Sequence, residues 1–433
     1  MKRTTTRGAA ASGTGCLTKL LGLALFAGVV AACGGGGGDG GGGGSGGGGS
    51  GPPPIFDDFT STAMSTERWL DLEFRRLPGS LILEQSTTGA QGSLQDNNLF
   101  FADPASVNSV VVPVTIESAS VEAPEGQDAR VQLRIVGLWF NNGTGSAGSE
   151  GDVGAVLIIA REMSMSAEMV ARYAVFRCTA ADCSTQEILV SDLDFAPIQL
   201  GQTHELRLSW DGAQFTFGVD GSTQSFTPDG ANAPAGPARA PSVRIHTRAD
   251  QLDNAAERGH IRAALESVTV NDNLYDDFSA SSIDPTKWLN HDFERHIADG
   301  RLQSRLAAHN GGVLSNNARI VDPASIRRLT ADVSVLSAST QGASSEARAR
   351  IGGMWYGTGV SGEGSLGDVF AAVELRWIED ALRARPLVAR CDDADCSTST
   401  VVFSDNSAFT SDLQLGQTYP ASIAWNGTSF TFS

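Results

Sequence analysis

Apolar and polar residues alternate with a period of two over much of the chain beyond residue 55, and helical periodicity is weak throughout. From Arg130 to Phe140, the residues Val131, Leu133, Ile135, Gly137 and Trp139 point one way. Arg130, Gln132, Arg134, Val136, Leu138 and Phe140 point the other. The first set reads as core, the second as a sheet face shown to solvent. Glu205 to Trp210 alternates as well, then Asp211-Gly212 intervenes before Phe215 and Phe217. Ile423, Trp425, Asn426-Gly427, Phe430 and Phe432 repeat that arrangement. Asp-Gly and Asn-Gly mark short hairpins, because both central residues of a type I′ turn need positive φ. The pattern predicts an all-β chain built from two-sheet antiparallel sandwiches of the jelly-roll kind.

The same motifs occur twice, about 219 residues apart. Asp57-Asp58-Phe59 returns as Asp276-Asp277-Phe278, and Trp69-Leu70 as Trp288-Leu289. Asn97-Asn98 returns as Asn316-Asn317, Arg134-Ile135 as Arg350-Ile351, Gly151-Asp152-Val153 as Gly367-Asp368-Val369, and Leu200-Gly201-Gln202-Thr203 as Leu415-Gly416-Gln417-Thr418. The period is too long for a solenoid, so two whole domains are expected, at 55–273 and 274–433. The second copy stops after Phe430-Thr431-Phe432, whereas the first continues through Ser242-Val243-Arg244-Ile245 and Ala263 to Val270. The second copy is therefore expected to be an incomplete repeat.

The first 54 residues have a different character. Lys2, Arg3 and Arg7 precede a mostly apolar run from Leu17 to Ala32, the layout of a secretory signal peptide over 1–32. The run is short for a membrane-spanning helix, which needs roughly 20 residues. Val30-Ala31-Ala32-Cys33 resembles the lipobox of bacterial lipoproteins. That resemblance implies cleavage before Cys33, acylation of it, and, with Gly34 following, residence in the outer membrane by a lipid anchor alone. Residues 33–54 are then a Gly- and Pro-rich tether with nothing apolar to bury, of about 25 Å r.m.s. reach. Losing Lys2, Arg3, Arg7 and Lys19, and no acid, takes the formal charge from −18 to −22. So acidic a surface argues against nucleic acid as a partner.

The opening Asp-Asp-Phe, the Trp some ten residues later and the late Leu-Gly-Gln-Thr…Trp-Asp-Gly…Phe-Thr-Phe hairpin resemble concanavalin A-like lectin/glucanase domains, including laminin G-like ones. The resemblance spans both copies and implies architecture more firmly than activity. Catalytic members of the laminarinase-type branch carry Glu-x-Asp-x-x-Glu or Glu-x-Asp-x-Glu on one strand, which sets two carboxylates on one face. Here Glu150-Gly151-Asp152-Val153-Gly154-Ala155 lacks the last acid, and the second copy keeps only Asp368. No catalytic residue is assigned on this basis.

The remaining chemistry is sparse. Cys178/Cys183 and Cys391/Cys396, each with four intervening residues, are expected to be disulfides in an oxidising compartment, with zinc as the weaker alternative. The six histidines occupy no equivalent positions in the two copies and read as surface residues. Arg134, Phe140 and Asp152, with Arg350, Tyr356 and Asp368, form the candidate ligand face, since sugars stack on aromatic rings and bond to arginine and carboxylate groups. Ordinary Arg-to-Asp pairing on an exposed sheet is the plainer account of the same residues. No metal ligand set is assigned, and calcium through Asp57-Asp58 and Asp276-Asp277 stays open without supporting spacing. The expected function is non-catalytic carbohydrate binding by a surface lipoprotein. A structural or adhesive module with a protein partner is the alternative, followed by a polysaccharide hydrolase or lyase.

Overall fold

The computed structural model describes residues 55–433 apart from 92–93, 125–127, 142–149, 163–168, 181–182, 234–241, 309–313, 343–344, 358–365, 394–395, 407–408 and 410–412. The signal peptide, Cys33 and the tether lie outside the described residues. What is described is all-β, and every strand pair is antiparallel.

In the first repeat two sheets pack face to face. One has the order Leu94–Phe100, Ser242–Asp250, Arg130–Asn141, Asp152–Glu162, Met169–Cys178, Gln186–Ile198. The other runs Ser222–Phe226, Phe215–Val219, Thr203–Trp210, Ser109–Glu122, Arg258–Leu265, Leu81–Thr88, Phe74–Leu77. Of the predicted inward set, Val131, Leu133 and Ile135 are buried against Leu206, Leu208, Phe215 and Phe217 in a single core, and the Trp139 side chain is outside what the structure describes. Val110, Val112, Val114 and Ile116 alternate into the same core from the long strand Ser109–Glu122. The second repeat has two smaller sheets. Arg328–Ser334, Thr418–Trp425 and Phe430–Phe432 form one, and Ala347–Tyr356, Val369–Ile378, Ala381–Cys391 and Ser399–Ser404 the other.

The hairpin turns differ from expectation. Asp211 does not adopt positive φ, whereas Gly212 does, at +99°. The Asp211 carboxylate instead accepts from the backbone N–H of Ala213 and Gln214, and closes a four-residue connection between Trp210 and Phe215. Asn426 does the same through Thr428 and Ser429, with Gly427 also at +99°. A side-chain acceptor at the first turn position thus replaces the second left-handed residue. Both cysteine pairs are disulfides, Cys178–Cys183 and Cys391–Cys396.

The joint between the repeats could not be foreseen from their order. Phe74–Leu77 pairs with Phe293–Ala298, so one sheet continues from the first repeat into the second and ends on Arg301–Leu306. Each opening segment packs on the other repeat's body. Trp288 bridges to Phe101 and lies in the first repeat's core with Phe278 and Ile283. Trp69 bridges to Ile320 and packs with Met64 and Leu72 against Ile297, Leu302 and Ala318. The local wiring of the two caps is identical. Trp288 Nε1 donates to Asp276 at 2.6 Å and Trp69 Nε1 donates to Asp57 at 2.7 Å. Arg76 donates to the His291 carbonyl, and Arg295 donates to the Leu72 carbonyl, each at 2.8 Å. Arg75 and Glu294 occupy equivalent places in the two repeats and face each other across the joint, at 3.2 Å. The arrangement is isologous, like a two-fold dimer interface drawn within one chain.

Candidate functional site

The outer face of the first repeat's six-stranded sheet divides into two strips. Val156, Ile158, Ala160 and Ala174 form a buried apolar strip with Val136 packed on it. The expectation of a sheet face fully shown to solvent is therefore corrected over that half. The other half is polar and basic, and two segments far apart in sequence build it. Ser242–Asp250 alternates Val243, Ile245, Thr247 and Ala249 inward with Arg244, His246, Arg248 and Asp250 outward. Its register sets His246 opposite Arg134 and Arg248 opposite Gln132. On its other side Leu94–Phe100 sets Asn98 opposite His246 and Asp96 opposite Arg248.

Asp96 is the acidic centre of this group. Arg248 grips it with two hydrogen bonds, 2.7 and 2.9 Å long. Arg244 stands 3.9 Å from the same carboxylate, donates to Asn98 at 3.0 Å, and lies over the Phe100 ring. Burial alone would raise the Asp96 pKa, but His246 and Arg248 outweigh it and hold the carboxyl well below the usual range. Arg134 has no carboxylate at salt-bridge distance and donates to Gln132. Burial, reinforced by Arg248, lowers its pKa to about 9, and burial lowers that of Arg244 to about 10, so both stay charged at neutral pH. His246 forms the floor, fully buried, with Nδ1 3.5 Å from Asp96 and no partner for Nε2 among the described residues. Burial first, and Arg244 second, push its pKa well below 6.5, so the ring is neutral. The group presents three guanidinium ions and one carboxylate on a chain that is otherwise strongly acidic. The other acids nearby are occupied: Asp250 by Arg130 and Glu162 by Arg172.

The structure separates the six candidate residues. Arg134 lies at this site. Phe140 follows a register irregularity after Leu138 and pairs with Val153, and its side chain is outside what the structure describes. Asp152 and Asp368 are buried beside the two disulfides, where Gly151 N–H donates to the Cys178 carbonyl and Cys391 N–H to the Asp368 carbonyl. Arg350 lies on the outer face of the second repeat, 3.2 Å from Glu374 and over Phe370. Tyr356 does not join it. The register slips between Met354 and Tyr356, and the ring stacks on Trp425 and Phe430 of the opposing sheet. The carboxylates considered for calcium are used locally. Asp57 and Asp276 accept from tryptophan, and Asp58 and Asp277 close Asx turns onto Thr60 and Ser279. Among the described residues, no group of three or more His, Cys, Asp or Glu is set to hold a metal ion.

Sequence reading missed His246, Arg244, Arg248 and Asp96. Histidine was expected at the surface, yet His204 and His246 are both buried. The usable signal was the alternation of Arg244, His246, Arg248 and Asp250 with Val243, Ile245 and Ala249, which only Thr247 interrupts.

No protein-family model matches the chain, and no curated protein does. Among solved structures it is similar to the PL7 alginate lyase AlyA1 of Zobellia galactanivorans, at 12% identity and a TM-score of 0.28, over 48% of this chain and 97% of that one. The kappa-carrageenase of Pseudoalteromonas carrageenovora is similar at 9% identity and a TM-score of 0.27, over 49% and 90%. So is CG-16, a homodimeric agglutinin from chicken liver, at 10% and 0.21, over 40% and 98%. At these values the likeness says nothing of activity.

Proposed function

We propose that this chain is a surface lipoprotein, held at the outer membrane through Cys33, that binds an acidic carbohydrate without transforming it. One observation carries the reading: Arg134, Arg244 and Arg248 stand on three neighbouring positions of one sheet face, with Asp96 the carboxylate among them. Arginine forks fit carboxylate and sulfate oxygens with two parallel hydrogen bonds, and Phe100 offers a ring beside them. Asp96 and Asn98 orient the guanidinium groups, so a ligand meets them already placed.

His246 favours a second reading. A neutral imidazole beside arginines can take a proton next to a carboxylate whose charge those arginines neutralise, which is the chemistry of a lyase. Its complete burial is the reason binding is placed first.

The test uses the whole chain from Cys33 onwards, because the body carrying this face is capped by residues as late as Trp288. A glycan array is probed with the wild type, Arg134→Ala and Arg244→Ala. Each substitution is expected to weaken binding to uronate or sulfated glycans about tenfold, some 1.4 kcal/mol. Binding untouched by both substitutions, with the fold intact, would move the site elsewhere. No binding to any glycan would leave a protein partner as the better account. Ultraviolet absorbance from an unsaturated uronate product, lost in His246→Gln, would establish the lyase.

A further inference from the structure

The equivalent face of the second repeat carries more arginines than the first-repeat site, five against three. In Ala347–Tyr356 the register sets Arg348 opposite Arg376 and Arg350 opposite Glu374 of Val369–Ile378. Those two residues in turn lie opposite Arg383 and Arg385 of Ala381–Cys391. Directly opposed residues of antiparallel strands share a face, so five arginines stand on one face around Glu374. Glu374 is fully buried and accepts from Arg385 at 2.7 Å, with Arg350 at 3.2 Å and Arg348 at 3.6 Å. Glu346 pairs with Arg348 and Arg376. Arg383 is half exposed and meets Glu379 at 3.6 Å. A cavity of about 180 Å³ opens among Arg376, Glu379, Arg383, Arg385 and Asn406. That is several times the roughly 30 Å³ share of a water molecule, enough for a carboxylate or sulfate group.

The joint relates the opening strands of the two repeats. A two-fold axis relating antiparallel strands stands perpendicular to their sheet, and here it passes between Arg75 and Glu294. Such an axis leaves equivalent residues of the two opening strands on the same side of the shared sheet. The side chains agree. Phe74, Arg76, Phe293 and Arg295 lie on one face of the joint, and from that face Arg76 reaches Asn97 while Arg295 reaches Asn316, each at 3.0 Å.

We infer that the Arg348–Arg350–Arg376–Arg383–Arg385 face is a second anion-binding site, and that the chain cross-links an acidic polysaccharide by holding one polymer strand on each repeat. This inference rests on the reading of the first face as a binder of acidic carbohydrate. The two sites lie on separate sheets, so each can hold its own polymer strand.

The experiment takes the chain from Cys33 onwards, a long polyuronate, a sulfated polysaccharide of matched length, and short oligomers of each. Short-oligomer titration of the wild type should show two sites. Arg350→Ala/Arg383→Ala should remove one and Arg134→Ala/Arg244→Ala the other. The wild type should cluster long polymer, seen as light scattering that peaks at an intermediate protein ratio. Each double variant should still bind long polymer through its remaining site but lose the scattering peak. The polymer that responds tells carboxylate from sulfate. Unchanged melting in the variants separates lost sites from lost fold. One site per chain, abolished by Arg134→Ala/Arg244→Ala, would overturn this inference and leave the first face standing. Two sites with no scattering peak would overturn the cross-linking. No binding of either polymer would overturn both readings.

Discussion

The two repeats share their motifs but differ in what is laid on them. In the first, Arg130–Asn141 is an interior strand, flanked by Ser242–Asp250 on one side and Asp152–Glu162 on the other. In the second, Ala347–Tyr356 is the edge of its sheet. The consequence falls on equivalent residues. Ile135 is buried in the first core, whereas Ile351 is only partly covered. Ile158 lies in the apolar strip of the first outer face, and Glu374 takes that place in the second, buried and ringed by arginine. The caps differ in the same direction: Trp288 is fully buried and Trp69 only partly. A repeated motif can thus carry an apolar strip in one copy and a charged face in the other.

The strongest way to break this comparison is to remove a cap. Trp288→Ala deletes contacts with Phe101, Tyr275 and Phe278 and removes the indole donor from the Asp276 carboxylate. A loss of about 3–5 kcal/mol is expected, in the range for a buried aromatic. Trp69→Ala should cost less, about 2 kcal/mol, because that ring is less buried. Hydrogen exchange locates the damage. Trp288→Ala should expose amides of Leu94–Phe100 in the first repeat, and Trp69→Ala those of Phe293–Ala298 and Arg301–Leu306. The opposite mapping would mean that each cap serves its own repeat.

A smaller effect is expected at the joint. Arg75 lies between Glu84 and Glu294, both largely buried. Arg75→Glu should cost about 1–2 kcal/mol by placing like charges together. Adding Glu294→Arg should recover part of that loss in a denaturant titration. No recovery would show that the pair is incidental to the shared sheet.

The last prediction concerns slope more than level. His246 is neutral in the fold because burial lowers its pKa, whereas the unfolded chain takes up a proton below about pH 6.5. The unfolded state then binds more protons, so stability falls as pH drops from about 6.5 towards the folded value. Asp96 has a lowered pKa and adds its own loss only below about pH 4. Denaturant midpoints at pH 7.5 and 5.5 should therefore separate in the wild type and draw together in His246→Gln. An unchanged separation would assign the slope to another group.

Much of the fold was legible in the chain. Period-two alternation named the strands, and the inward set at Val131, Leu133 and Ile135 was right because a sheet with one core face tolerates no other phase. The disulfides followed from short spacing, and the repeat from ordered motif matches. The candidate site was legible only in part. Arg134 was named from the sequence, but Arg244, His246 and Arg248 lie on a strand more than a hundred residues away, and no local pattern states that Ser242–Asp250 will be its neighbour. Tyr356 was misplaced because one extra residue in a strand reverses every later side chain.

What the sequence determined by itself is local: strand phase, turn chemistry, covalent staples and the existence of two copies. What only the tertiary structure decided is pairing. The cap segments have the same residues whether they dock on their own repeat or on the other, so their sequence cannot distinguish the two. The choice lies with Phe74–Leu77, which stays paired to Leu81–Thr88 and runs straight across the joint. Carried along that strand, each opening segment arrives at the other repeat, where the pairing of Phe74 with Arg295 and Arg76 with Phe293 holds it.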